Sequence, residues 1–327
     1  MAPAITIAGP TRYDLADPFL FDAGGHYDLF VSTSFGDPGA GNVPVLVGEP
    51  GHWRQPADAL PQVPGWASPA RAGVPLWAPA VYRLQGTDVL YVAAPVRGAS
   101  PPTHCIAVAT AADPDGPFVP RAGPPLVCQA SLGGDIDPEV VTDPAGPDGP
   151  QRPEYLIWKS DNNNLPGSGP ATIWAAPLAN DGLSLSGPPT AIFRPQAAWE
   201  QPIVEAPSMV RAPDGSLWLF FSAGTGFAGS HYGIGLARCA SVLGPCQDAS
   251  TQPFLASNAQ GPGPGEESVF QAADGSTWLL YDPWHTGVRL DPFRPVDAVR
   301  LGWGRNGPYV AQARSFPPPA PARARQR

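Results

Sequence analysis

The chain has 327 residues, 43% of them hydrophobic and 14% charged, with a formal net charge of −9, which is enough apolar material to fill a core without staples. An acidic chain with one lysine, Lys159, and no basic cluster before its last residues suits neither nucleic acid nor an anionic membrane surface, so a neutral partner such as a sugar is expected. No apolar run reaches the length of about eighteen residues that a membrane-spanning helix needs.

The opening residues, MAPAITIAGP, have neither the charged nor the apolar segment of a signal peptide. Beyond them helical periodicity is absent, and short β-branched and aromatic runs alternate with Gly, Pro, Asp and Asn, as in an all-β chain. DPFLFDAGGHYDLFVS opens at Asp17, APAVYRLQGTDVLYVAA at Ala78, DPEVVTD with EYLIWKS at Asp137, APSMVRAPDGSLWLFFSA at Ala206 and EESVFQAADGSTWLLYD at Glu266. Each unit is a short apolar strand, a Gly or Asp turn and an aromatic-rich second strand. A third strand follows in VPVLVGE, CIAVATAADPDGP, ATIWAAPLANDG, YGIGLARCASVLGP and AVRLGWGRNGP. Five such units in sequence predict a five-bladed β-propeller with blades of about four antiparallel strands, because radial repetition protects sheet edges around a channel. The propeller is expected over residues 1–314, with the longer third unit absorbing its extra length in the loop TDPAGPDGPQRPE. The Pro/Arg-rich tail, residues 315–327, lacks apolar periodicity and is expected to be disordered.

Four cysteines form two sequence-local pairs, Cys105 with Cys128 and Cys239 with Cys246, an even count suited to two disulfides and lacking the Cys-x-x-Cys spacing of zinc sites. Two pairs of buried free thiols would leave the same sequence. The disulfide reading points to a secreted, extracellular protein present as its mature form, with Met1 added.

Asp-Pro pairs are common turn formers, and Asp37, Asp113, Asp143, Asp282 and Asp291 also precede prolines, so Asp137 in GGDIDPEVV carries little weight alone. Its place in the repeat carries more. In a propeller the first strand of each blade lies nearest the axis, so the residues opening each unit converge on one channel mouth. That places Asp17, Asp137 and Glu205, which lies just before Ala206, together from three blades. Clustered carboxylates repel and cost desolvation, so such a group is expected to hydrolyse a glycoside or bind a cation.

Over residues 12 to 311 the chain resembles glycoside hydrolase family 43, the five-bladed propellers that act on arabinan, arabinoxylan and related polysaccharides. The carriers are DLADPFLF, WAPAV, DIDPEVV with YLIWKSDNNN, EAPSMV with LWLFFSAG, YGIGLARCASVLGPC, and GPGEESVF with WLLYDPW, specific in this order and spacing. The segment CASVLGPC is similar to that of secreted actinobacterial members, which supports the Cys239–Cys246 disulfide. The resemblance implies that Asp17 is the general base activating water, Glu205 the general acid, and Asp137 a third, ionised acid that raises and orients Glu205. An inverting reaction would set base and acid roughly 6.5 to 9.5 Å apart, leaving room for water.

The sequence departs from the family where its second unit often has an acid, here Ala80. Trp77 beside it could stack on a sugar ring or pack in the core. In the fifth unit Asp282 and Glu266 stand where histidines are frequent, and two oxygen donors would suit a structural calcium ion in the channel, although the chemistry itself needs no cofactor. Arg289 stands where the family often supplies a substrate-contacting arginine, though a surface role is as consistent. Asn162, with Asn163 and Asn164, either lines the rim or forms an ordinary turn. Phe227 and His231 lie on a Gly-rich loop above the fourth blade and are candidates for shaping specificity.

The expected function is therefore inverting hydrolysis of α-L-arabinofuranosidic linkages in arabinan or arabinoxylan by a monomer. A β-xylosidase or exo-galactanase on the same fold, or a non-catalytic carbohydrate-binding propeller, are the alternatives. Fructan-active propellers fit less well, because they carry Arg-Asp-Pro and Glu-Cys where this chain has DIDP and EAP.

Overall fold

The computed structural model describes residues 4–9, 14–33, 41–54, 57–143, 153–224, 231–249, 251–257, 263–283 and 294–322. A first strand, β1 (Ile5–Ala8), precedes the blades. Blade one holds β2 (Phe19–Asp22), β3 (Tyr27–Phe30) and β4 (Pro44–Glu49), edged by the short β5 (His52–Trp53) and β6 (Ala57–Asp58). Blade two holds β7 (Trp77–Leu84), β8 (Thr87–Pro95), β9 (His104–Ala111) and β10 (Val119–Pro120), and blade three β11 (Asp135–Thr142), β12 (Glu154–Ser160), β13 (Thr172–Pro177) and β14 (Thr190–Phe193). Blade four holds β15 (Val204–Arg211), β16 (Leu217–Gly224), β17 (Tyr232–Cys239) and β18 (Cys246–Asp248), and blade five β19 (Pro264–Gln271), β20 (Thr277–Pro283), β21 (Val296–Gly304) and β22 (Gly307–Ala311).

All pairings within these sheets are antiparallel, and the sheets form the five-bladed propeller that the repeat predicts. The first strands β2, β7, β11, β15 and β19 touch one another around the axis. Second strands such as β8 and β16 are covered on both faces by neighbouring blades, which is why VLYVAA and LWLFFSA are continuous rather than alternating apolar runs. The core is accordingly divided into five clusters. Phe30 and Leu90 belong to the cluster between blades one and two, Tyr91 and Trp158 to the next, Ile157 and Phe221 to the third, Phe220 and Leu279 to the fourth, and Leu280 and Leu29 to the fifth.

Two features close the ring. β1 pairs with β21, so the start of the chain completes the last blade. At the other end, residues 315–322 correct the expectation of a disordered tail: Phe316 is buried against Tyr27, Phe270 and Trp278, Tyr27 Oη donates to the Pro317 carbonyl at 3.2 Å, and the Ala320 N–H donates to Asp22 at 2.9 Å. The physical reason is one aromatic side chain with a hole to fill between blades five and one. Both disulfides form as paired in the sequence, Cys105 with Cys128 and Cys239 with Cys246, the second clipping β17 to β18. No described helix is long and apolar enough to cross a membrane.

Candidate active site

The five units share a backbone device at their inner ends. Asp17, Ala78, Asp137, Ala206 and Glu266 all adopt positive φ, between 47° and 53°. In β7, β11, β15 and β19 the pairing register shifts at this residue, as in a β-bulge. The bulge turns these five residues toward the axis, where they line one channel with the residues that follow them.

The residue before each bulge stands opposite the end of its blade's second strand. Trp77 pairs with Ala93, Ile136 with Lys159, Glu205 with Ser222 and Gly265 with Asp282, and the Ser32 N–H donates to the Ala16 carbonyl in the same way. From these ends Ser32, Ser222 and Asp282 reach the next blade and accept its bulge N–H, from Ala78 at 2.8 Å, Glu266 at 2.8 Å and Asp17 at 3.1 Å. Lys159, in the same position of blade three, reaches instead for Glu205 of blade four.

Asp17 is the acid of blade one. The Ser32 hydroxyl donates to its Oδ2. Burial pushes its pKa up, while the Arg294 guanidinium and Ser32 pull it down. Arg294 is buried, holds Asp14 through Nε at 2.9 Å and Nη2 at 2.8 Å, and reaches Asp282 Oδ2 with Nη1 at 3.0 Å. Burial alone would favour its neutral form, but Asp282 and Asp14 keep it charged. Asp17 is thus set between a hydroxyl donor and a fixed cation.

Asp137 is the acid of blade three, and its Oδ2 accepts the Ala206 N–H at 2.9 Å. Burial pushes its pKa up to about 8, against the pull of Lys159, with Glu205 and Asp17 adding to the rise. The resemblance implies an ionised third acid, and here burial among carboxyls favours the protonated form of Asp137 while Lys159 opposes it.

Glu205, from blade four, has both oxygens engaged. Lys159 Nζ lies 2.8 Å from Oε2 and 3.0 Å from Asp161 Oδ1, and Tyr232 Oη lies 2.8 Å from Glu205 Oε1. Lys159 is 1% exposed. Burial opposes its charge, but Glu205, Asp161 and Asp137 together hold the ammonium well above its usual range. These three, Lys159, Tyr232 and Arg294, are the site residues that the sequence reading missed. A signal existed for Lys159, since aligning the ends of the second strands puts it level with Ser32, Ser222 and Asp282. None marked Arg294 or Tyr232, whose approach depends on how blades pack.

The remaining candidates divide. Trp77 precedes the bulge of blade two and stacks on His104, ring centroids 3.8 Å apart. Asn162 is buried, with Oδ1 accepting from Ser160 Oγ at 2.5 Å and Nδ2 donating to the Ser168 carbonyl at 2.7 Å, so its amide is committed within its own loop. His231 is exposed, ahead of β17. Phe227 and Arg289 lie outside the described residues. Ala80 lines the channel. Glu266 Oε1 lies 2.6 Å from Tyr232 Oη, Asp282 faces Arg294, and no group of three or more His, Cys, Asp or Glu that could hold a metal occurs among the described residues. A guanidinium already occupies the charge-balancing place beside Asp282.

The arrangement offers one carboxyl under the pull of a fixed cation and, from another blade, a second gripped by an ammonium and a phenol. That is the division needed for one acid to take a proton while another gives one. A family model described as glycosyl hydrolases family 43 matches residues 10–307. Similar solved structures include a thermostable family-43 glycoside hydrolase, 24% identical over 99% of this chain and 98% of that one with a TM-score of 0.75. An endo-1,4-β-xylanase from Bacteroides thetaiotaomicron is 21% identical over 94% and 97% with a TM-score of 0.73. An α-L-arabinofuranosidase from Lactobacillus brevis is 19% identical over 96% of each chain with a TM-score of 0.69. A search of curated proteins finds no match.

Proposed function

Because the chain belongs to family 43 of the glycosyl hydrolases, we propose that it is an inverting glycosidase cleaving α-L-arabinofuranosidic linkages in arabinan or arabinoxylan-type polysaccharides, outside the cell. The observation that carries the reading is that Asp17 and Asp137 line one axial channel and that Glu205, from a third blade, is near enough to act electrostatically on both.

In this mechanism a water molecule stands between Asp17 and the anomeric carbon. As its oxygen bonds to that carbon, its proton passes to Asp17, and the glycosidic oxygen leaves with a proton from Glu205. One displacement inverts the configuration. Ser32 and Arg294 fix the base, and Lys159 and Tyr232 fix the acid. Asp137 adds a neutral carboxyl beside Glu205 and steadies the Ala206 bulge next to the acid. Trp77 and His231 are proposed to contact the sugar, a role also proposed for Asn162 through its loop.

The choice of arabinofuranose rests on the motif resemblance and agrees with several similar structures named as arabinanases or arabinofuranosidases. The test is product release from linear arabinan, arabinoxylan, xylan, galactan and D-arabinan, with wild type beside Glu205→Gln and Asp17→Asn. Wild type should release arabinose or arabino-oligosaccharides, and each variant should lose at least about a hundredfold in rate while melting normally. Release from xylan or galactan alone would overturn the sugar assignment. Near wild-type rates in either variant would overturn the roles of the acids, and no release from any substrate would favour a binding propeller.

A further inference from the structure

Tyr232 opens β17 of blade four, yet its hydroxyl lies between two carboxyl groups of different blades, 2.8 Å from Glu205 Oε1 and 2.6 Å from Glu266 Oε1. It is buried, and its ring reaches this place because the facing residue of β19 has no side chain: a Cβ on Gly265 would collide with Tyr232 Cε1 and Cδ1. The backbone of Glu266 is fixed in turn, its N–H donating to Ser222 Oγ at 2.8 Å.

A phenol carries one proton. It can donate to one of the two oxygens and must accept from the other, and a carboxylate cannot donate. One of the two glutamates is therefore protonated when the bridge is whole. Glu205 already faces the Lys159 ammonium through Oε2, whereas the groups acting on Glu266 are acids: Glu205, Asp17, Asp137 and Asp282. The proton belongs on Glu266, which accords with burial and those four acids holding its carboxyl well above the usual range.

We propose that Glu266 and Tyr232 are a proton store for the general acid, supplying to Glu205 the proton that it delivers in each cleavage. In the resting site Glu266 donates to Tyr232 Oη and Tyr232 donates to Glu205 Oε1. During cleavage the Tyr232 proton passes to Glu205 and on to the leaving oxygen, and the Glu266 proton moves to Tyr232. Glu266, now a carboxylate, takes up the proton that Asp17 removed from water, both residues lining the same channel. Protons balance over the cycle: water supplies the one that Asp17 gains, and the released alcohol keeps the one that Glu205 lost. Glu266 thus holds a proton where its oxygen had been expected to serve a metal. The inference rests on Glu205 being the general acid.

Two measurements test it, and the first needs no substrate. In protein labelled with 13C at the glutamate carboxyl carbons, wild type should keep a protonated-carboxyl resonance above neutral pH that is lost in Glu266→Gln. The amide N–H introduced by that change can replace the carboxyl donor to Tyr232, so the variant is expected to fold. Tyr232→Phe provides a second break in the chain.

The second measurement compares two glycosides of the sugar that wild type accepts, one with a dinitrophenol and one with an alkyl alcohol as leaving group. Both variants should lose about tenfold or more in kcat on the alkyl glycoside, which needs a proton, and should change little on the dinitrophenyl one, with the alkaline limb of the alkyl profile moved to lower pH. Equal losses on both glycosides would mean a structural role, and a glutamate spectrum that Glu266→Gln leaves unchanged would overturn the store. If wild type cleaves neither glycoside, the functional reading fails, and the carboxyl spectrum still decides whether Glu266 holds the proton.

Discussion

None of the five bulge residues is the glycine that its backbone would favour. Asp17, Ala78, Asp137, Ala206 and Glu266 all take a left-handed φ that costs a non-glycine residue about 1 kcal/mol or more, and proline follows the first four. The conformation is retained because side chains from the neighbouring blade receive the bulge N–H groups of Asp17, Ala78, Ala206 and Glu266. Asp17, Asp137 and Glu205 were legible in sequence because they sit at repeat positions. Lys159 stood out as the single lysine and by its place at the end of a second strand, but its meaning lies in a contact 46 residues along the chain. That contact carries a prediction. Lys159→Met keeps the apolar stem but leaves Glu205 and Asp161 without their shared cation, and breaking a buried pair in this way costs about 3 to 5 kcal/mol. Denaturant unfolding should show that loss, and a change under about 1 kcal/mol would mean that the pair is not closed in solution.

Among elements, the strands and turns followed local chemistry closely. APDGSLW and AADGSTW fold into the same turn, with Asp214 and Asp274 each accepting from a serine two residues on and that serine accepting a tryptophan N–H. The tail is the element that the sequence misrepresented. FPPPAP has no periodicity to read, but one phenylalanine with three aromatic neighbours is enough to order a segment whose prolines have little entropy to lose. Phe316→Ala should therefore lower stability by about 3 kcal/mol, within the range for emptying an aromatic site. A melting temperature unaltered by this change would show that the tail is not docked. β1 was likewise unread, since ITIA is too short to announce a partner almost 300 residues away.

At the scale of the whole molecule, the ring collects carboxyls that are buried together. Burial first, with neighbouring acids adding in most cases, raises Asp137 and Glu139 to about 8 and Asp28 and Asp135 to about 7. Between roughly pH 4 and pH 8 the native chain holds protons that the unfolded chain has released, so this contribution to stability is full at the acid end and is lost as pH rises through 7 to 8. Melting should be higher at about pH 5 than at about pH 8.5, and the opposite order would mean that these groups ionise in the folded state. The number of blades, their order and the three acids were determined by the sequence itself, because a repeated strand pattern fixes both the sheet and which residues open it. The tertiary structure alone decided what surrounds those acids. Arg294 beside Asp17, Lys159 and Tyr232 around Glu205, and Phe316 in its hole are contacts between blades, and contact across a ring closed by distant segments leaves no local period to read.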